Sequence, residues 1–257
     1  MSGNSGKAIG ILALVLLLSP VDEVAAGALE RAMLGKSTIV DLTQIQREVP
    51  AAGGHEPRRD SVEPGKDAGP ATHPIPPGEF ATQLGLAAAP SRGPGSVARI
   101  PPRNLLGLAV VVDISASVAK KADYRASVAD LQSWERKNGR IPRRAVVLLH
   151  TGWSSRWADP ARYMNLDAQG APHVPGFSPD AVAFLGTDRE VLGVGLDAWA
   201  PEPAAGDGVL AKLRPGAWHL LNLTNLERLP AKGAKLVIAP IRIEAGSAPA
   251  RVVAILP

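Results

Sequence analysis

The stretch GEFATQLGLAAAPSRGPGSVARIPPRNLLGLAVVVDI, residues 78–114, decides the fold of this 257-residue chain. It begins as an irregular run of small residues and ends in the apolar run Leu108–Ile114. A nearly continuous apolar run of this length is typical of a strand that is covered on both faces. The stretch therefore predicts a buried central strand in a fold that combines strands with helices.

Segments on both sides of this stretch extend the same pattern. A capping-box sequence at Ser127 predicts a helix that ends at Gly139, and Ser178-Pro179 predicts the start of another. Apolar or β-branched runs predict six more strands, at Ser37–Thr43, Ala145–His150, Val191–Asp197, Trp218–Leu223, Lys235–Ile243 and Arg251–Leu256. No internal repeat is visible, so we expect one mixed-sheet α/β domain over residues 29–257.

Composition excludes several classes of function. The chain has no cysteine, which excludes disulfides, zinc–thiolate sites and thiol catalysis. Its net charge is +4, but the lysines and arginines are scattered and form no basic stripe interleaved with aromatic residues. Scattered charge is typical of a solvated surface, so we do not expect a nucleic-acid partner.

The N-terminal region predicts a location outside the cytoplasm. The apolar run Ala8–Leu18 is shorter than the about 20 residues that span a bilayer, and Ala26-Gly27-Ala28 fits a cleavage site. We expect residues 1–28 to be a signal peptide, which makes the mature protein secreted or periplasmic and leaves it no stable membrane span. The alternative is an apolar helix packed on the domain of a cytoplasmic protein.

Residues 44–77 are polar and rich in glycine and proline, and they contain His55 and His73. A segment of this length and composition predicts a long surface loop or arm, with a lid as one role.

Seven segments carry a further signal when they are taken together in order: Asp41–Thr43, Arg103–Ile114, Ser127–Pro142, Val146–Trp157, Gly195–Pro203, Asn222–Pro230 and Ala239–Ile255. Together they resemble the cyclase family of metal-dependent hydrolases, which includes bacterial kynurenine formamidase. The resemblance implies a swivelling β/β/α domain and a homodimer. It also implies arylformamidase chemistry, in which zinc or manganese assists hydrolysis of an amide such as N-formylkynurenine, a step of tryptophan catabolism.

The metal ligands of that family are replaced in this chain. Its pattern H-x-G-T-H-x-D-x-P-x-H, laid on the sequence without a gap, starts at Glu79, and a later His and Glu pair follows it. The ligand positions then fall on Glu79, Gln83, Gly85, Ala89, Val209 and Leu221. Alkyl side chains cannot donate to a cation, whereas a hydrolytic metal needs nitrogen and oxygen ligands. We therefore expect no bound metal and no other cofactor.

Glu79, Gln83 and His219 are the candidate catalytic residues that remain. His219 lies two residues before Leu221 in a predicted strand, so both side chains lie on one face and Trp218 and Leu220 on the other. Two interpretations stay open. The three polar residues form a hydrogen-bonding or acid–base cluster, or they never meet.

A second set of residues is expected to line the ligand pocket. Trp153 and Trp199 would stack on a planar ligand, and the alternative is ordinary core packing. Asp197 either orients a ligand or caps a turn, and His150 is either a pocket wall or a core histidine. Leu221 would line the same pocket.

Three hypotheses about function follow. The main one is a metal-free pseudoenzyme that binds a small aromatic or amide ligand. The second is an active arylformamidase-type hydrolase whose ligands have moved to Glu79, His219 and one of His55 or His73. The third is a structural subunit that pairs with an active paralogue.

Overall fold

The computed structural model describes residues 27, 30–45, 81–86, 95–199 and 209–257. Ten strands lie in this part of the chain: β1 Ile39–Asp41, β2 Gln83–Leu86, β3 Leu106–Asp113, β4 Arg125–Ala126, β5 Val146–His150, β6 Gly176–Phe177, β7 Gly193–Leu196, β8 Trp218–Leu221, β9 Lys232–Pro240 and β10 Ser247–Ile255. The α-helices with defined bounds are α1 Ser115–Lys120, α2 Val128–Asn138, α3 Pro160–Met164 and α4 Pro179–Thr187. Short 3-10 helices include Trp153–Arg156 and Val209–Lys212.

Eight strands form one mixed sheet in the order β1-β10-β2-β8-β7-β5-β3-β9. Strand β10 also pairs with β9, and this pairing closes the sheet into a barrel. The neighbours β3, β5, β7 and β8 are parallel, while the remaining pairs are antiparallel. Strands β4 and β6 form a separate two-stranded parallel sheet. The fold is a single α/β domain with a mixed sheet, as the sequence predicted.

Successive side chains along each strand point to opposite faces of the sheet, and this alternation separates two hydrophobic cores. Side chains from every barrel strand except β7 meet in one core, which fills the barrel and includes Leu84, Trp218 and Leu220. The opposite faces of β3, β5, β7 and β8 pack against α2 and α4 in a second core outside the barrel, which includes Leu221. Gln83 on β2 and Leu221 on β8 therefore face outward, as do the residues two positions from each on the same strand.

Local sequence signals placed several elements correctly. Ser127 accepts a hydrogen bond from the Asp130 N–H, the Asp130 carboxylate accepts one from the Ser127 N–H, and α2 ends at Gly139 with φ 87°. The Ser178 side chain accepts a hydrogen bond from the Ala181 N–H at the start of α4, with Pro179 at the first helical position. These caps use contacts within a few residues, which explains why the sequence alone could locate them.

The segment before Pro90 contains a strand where the sequence predicted an irregular run. Strand β2 pairs with β8 on one side and with β10 on the other. Its backbone groups are satisfied by two strands that are distant in sequence, so local β-propensity does not reveal it.

Some expectations lie outside the described residues. These are the signal peptide apart from residue 27, the long loop from residue 46 onward, Glu79 and Ala89. In the part of the chain that the structure describes, no helix is both long enough and apolar enough to cross a membrane.

Candidate functional site

The pairing of β2 with β8 brings Gln83 and His219 together on the outer face of the barrel. In the register of this antiparallel pair, Gln83 lies opposite Leu221 and Gly85 lies opposite His219. Gln83 and His219 are therefore diagonal neighbours, which places their side chains within reach of one small ligand. The structure thus brings together two of the three candidate catalytic residues.

The imidazole of His219 lies directly over Gly85. A Cβ atom added to Gly85 would lie 2.5 Å from both Cε1 and Nε2 of the ring. Nδ1 is shielded from solvent and has no hydrogen-bond partner among the described residues. Burial lowers the pKa of His219 from 6.5 to about 4, so the ring is neutral at physiological pH.

These residues do not fit a hydrolytic metal ion. The outer face of β2 and β8 carries one carboxamide, one imidazole, one alkyl group and a glycine, and it carries no carboxylate. Across the described ranges, no group of three or more His, Cys, Asp or Glu residues could hold a cation. The Val209 and Leu221 positions lie in the 3-10 helix Val209–Lys212 and in β8.

A separate polar cluster lies at the carboxyl ends of β5 and β7. The Oδ1 atom of Asp197 accepts hydrogen bonds from the backbone N–H of Thr151 at 3.0 Å and from its hydroxyl at 2.5 Å. Asp197 is fully buried, and within the described ranges its Oδ2 atom has no partner. Burial raises the pKa of this carboxyl above its ordinary value. Asp197 therefore ties the end of β5 to the end of β7.

Tyr163 and Asn222 extend this cluster towards β2. The Tyr163 hydroxyl donates to Asn222 Oδ1 at 2.8 Å, and Asn222 Nδ2 donates to the carbonyl of Ala81 at 2.7 Å. The Thr82 hydroxyl donates in turn to the backbone carbonyl of Asn222 at 2.5 Å. Because Ala81 and Thr82 directly precede Gln83, the network fixes the start of β2 and hence the position of Gln83.

The other predicted pocket residues lie around these carboxyl ends. Trp153 is buried and its indole N–H donates to the Tyr163 carbonyl at 2.9 Å, so it is a core residue. Trp199 packs against the outer core, and its buried indole Nε1 has no partner among the residues that the structure describes. His150 Nδ1 lies 3.3 Å from Asp113 Oδ1 at the ends of β5 and β3, three and four strands away from β2.

Sequence reasoning missed Tyr163 and Thr82. The pair Asp159-Pro160 is a helix-start signal that could have revealed α3, in which Tyr163 lies. The contact between Tyr163 and Asn222 spans 59 residues, and that between Thr82 and Asn222 spans 140. No local pattern encodes contacts of that range.

Replacing Asn222 with alanine should destabilise the protein by about 2 kcal/mol, because two buried side-chain hydrogen bonds are lost at a left-handed backbone position. Asn222 has a φ of 55°, which asparagine tolerates better than alanine. Urea unfolding followed by circular dichroism measures the loss.

N222G is the matched control, since glycine loses the same bonds but accepts this φ without strain. It should be less destabilised than N222A. An N222A protein as stable as the wild type would contradict the role of Asn222 in holding the start of β2.

Comparison with known proteins connects this architecture to a family. A family model described as "Putative cyclase" matches residues 40–203. The curated isatin hydrolase of Roseibium aggregatum is 32% identical over 155 residues, a match that covers 57% of this chain and 58% of that protein. The matched stretch thus spans less than two thirds of the relative's length.

Solved structures resemble the chain over nearly its whole length. Isatin hydrolase A from Labrenzia aggregata bound to benzyl benzoate is 27% identical with a TM-score of 0.69, covering 93% of this chain and 99% of that one. Isatin hydrolase A from Ralstonia solanacearum is also 27% identical with a TM-score of 0.70, covering 95% of this chain and 100% of that one. With the family match over more than half of its residues, the chain belongs to the cyclase family and is related to isatin hydrolase.

Proposed function

We propose that this protein is a metal-free member of the cyclase family that binds a small neutral aromatic amide without hydrolysing it. The observation that carries the proposal is the outer face of β2 and β8. There Gln83, Gly85 and Leu221 stand at positions where the family resemblance implies metal ligands. A cation needs several nitrogen or oxygen donors around one point, and a glycine and a leucine supply none.

The environment of His219 also disfavours a relocated metal centre. A metal-ligating histidine almost always donates its second ring N–H to a carboxylate, a carbonyl or water, which fixes the tautomer and the ring orientation. In the part of the chain that the structure describes, the buried Nδ1 of His219 has no such partner. A general base in a hydrolase needs a similar orienting group. His219 is therefore better suited to a hydrogen bond with a ligand than to catalysis.

Two observations support a neutral aromatic amide as the ligand. The outer face of β2 and β8 is polar but uncharged at neutral pH, because burial lowers the pKa of His219 to about 4 and Gln83 is an amide. The solved relatives at 27% identity are isatin hydrolases, and isatin is an aromatic cyclic amide. A site that keeps the shape for such a ligand but loses the cation would retain binding and lose hydrolysis.

The test uses purified full-length protein, analysed for metals and incubated with isatin and with N-formylkynurenine. We expect substoichiometric zinc and manganese, saturable binding of isatin by calorimetry, and no hydrolysis above the rate in buffer. Added zinc, added manganese and a chelator should each leave the binding constant unchanged.

Other outcomes would overturn the proposal. Stoichiometric metal with chelator-sensitive hydrolysis of N-formylkynurenine would establish the arylformamidase alternative. Absence of isatin binding, together with a stable complex with an active paralogue, would establish the structural-subunit alternative.

A further inference from the structure

We infer that the imidazole of His219 replaces the cation as the group that holds the ligand, by accepting a hydrogen bond from an amide N–H. The ligand class is a neutral secondary or cyclic amide, bound intact. This inference rests on the proposed function, since it names the residue and the hydrogen bond by which that function would work.

The first support is the space that the ring occupies. The Cε1–Nε2 edge of His219 lies where a side chain on residue 85 would begin, since a Cβ there would approach both atoms to 2.5 Å. Real Cβ atoms essentially never approach ring atoms so closely, so the imidazole and a side chain at position 85 exclude one another in this arrangement. The glycine at position 85 is thus what allows His219 to lie at the centre of this face.

The second support is the unsatisfied Nδ1 atom. A buried polar atom without a partner is unfavourable, and such atoms in native proteins call for a specific explanation. Within the described part of the chain, Nδ1 of His219 is such an atom: it is shielded from solvent, although part of the residue is exposed. An N–H donor from a bound amide would satisfy it.

The neighbouring side chains fit the remainder of an amide. The Gln83 carboxamide, diagonal to His219, can donate to the amide carbonyl, and Leu221 supplies apolar contact. None of the four residues on this face of β2 and β8 is cationic. This uncharged face therefore suits the intact cyclic amide better than the carboxylate that hydrolysis of the amide ring would produce.

One experiment tests the space that His219 fills. G85A should lower the melting temperature by about 3–6 °C, because the new methyl group displaces the ring. The double variant G85A/H219A should regain most of the melting temperature that G85A loses. Additive effects of the two substitutions would show that the residues do not compete for space and would overturn this part of the inference.

A second experiment tests the hydrogen bond, with isatin as the probe. H219F should weaken isatin binding about tenfold or more, because phenylalanine removes the acceptor. H219Q keeps an acceptor and should bind within a few-fold of the wild type. H173Q is the matched control at an exposed histidine that contacts Asp123 and Asp167 instead, and it should bind normally.

The outcomes separate the inference from the proposed function. If the wild type binds isatin and H219F binds it equally well, the inference is wrong and the function stands. If the wild type does not bind isatin at all, the proposed function and this ligand assignment are both wrong. In NMR spectra of wild-type protein with ¹⁵N-labelled histidine, a ligand-induced chemical-shift change at His219 Nδ1 would support both the proposed function and this inference.

Discussion

Replacing Asp197 with alanine should lower the free energy of unfolding by about 3 kcal/mol, the largest loss that we expect from a single substitution near the site. The carboxylate accepts two hydrogen bonds from Thr151 in a fully buried position. Without it, the Thr151 N–H and hydroxyl remain buried and unpaired, and β5 loses its side-chain link to β7. Urea unfolding at pH 7, followed by tryptophan fluorescence and by circular dichroism, measures the effect.

D197N separates the hydrogen bonds from the charge. The asparagine Oδ1 can accept both bonds from Thr151, so we expect D197N to lie within about 1 kcal/mol of the wild type. Because burial raises the pKa of Asp197, the folded state favours the protonated carboxyl, and ionisation reduces stability as pH rises through the folded pKa. D197N should lack that loss. Equal destabilisation of D197A and D197N would show that the Thr151 bonds contribute little.

The sequence could predict the elements and the face of the site that depend on local periodicity. Alternation predicted that His219 and Leu221 share one face of their strand while Trp218 and Leu220 lie on the other. The structure confirms this, since Trp218 and Leu220 fill the barrel and Leu221 packs outside it. The capped ends of α2 at Ser127 and Gly139 could be predicted for a similar reason.

Contacts between distant strands could not be predicted. The resemblance aligned Gly85 with a ligand position, but only the register of β2 against β8 shows that His219 lies over it. Asp197 was left open between a cap and a ligand contact, and the bonds to Thr151 depend on two parallel strands lying side by side. Pairing between strands that are distant in sequence decides these contacts, and local β-propensity does not predict that pairing.

The protein should lose about 3 kcal/mol of stability as pH falls from 6.5 to 4, through His219 alone. Burial lowers the pKa of this residue from 6.5 to about 4, and no charge on the described residues contributes to the shift. In this interval the unfolded chain binds a proton at residue 219 and the folded protein does not. Stability must therefore fall as pH decreases. Urea unfolding at several pH values between 7.5 and 4 measures the slope.

The H219Q variant isolates this contribution, because glutamine is polar and does not titrate. The difference in unfolding free energy between wild type and H219Q should vary with pH between 6.5 and 4.5, above the range in which carboxylates such as Glu135 protonate. Arg189 lowers the pKa of Glu135 from 4.5, so its contribution is lost only at lower pH. Parallel curves for the two proteins would mean that His219 titrates normally and is open to water. An amide N–H that is donated to Nδ1 stabilises the neutral ring further, so binding of isatin should weaken only as pH falls through about 4, where His219 of the folded protein becomes protonated.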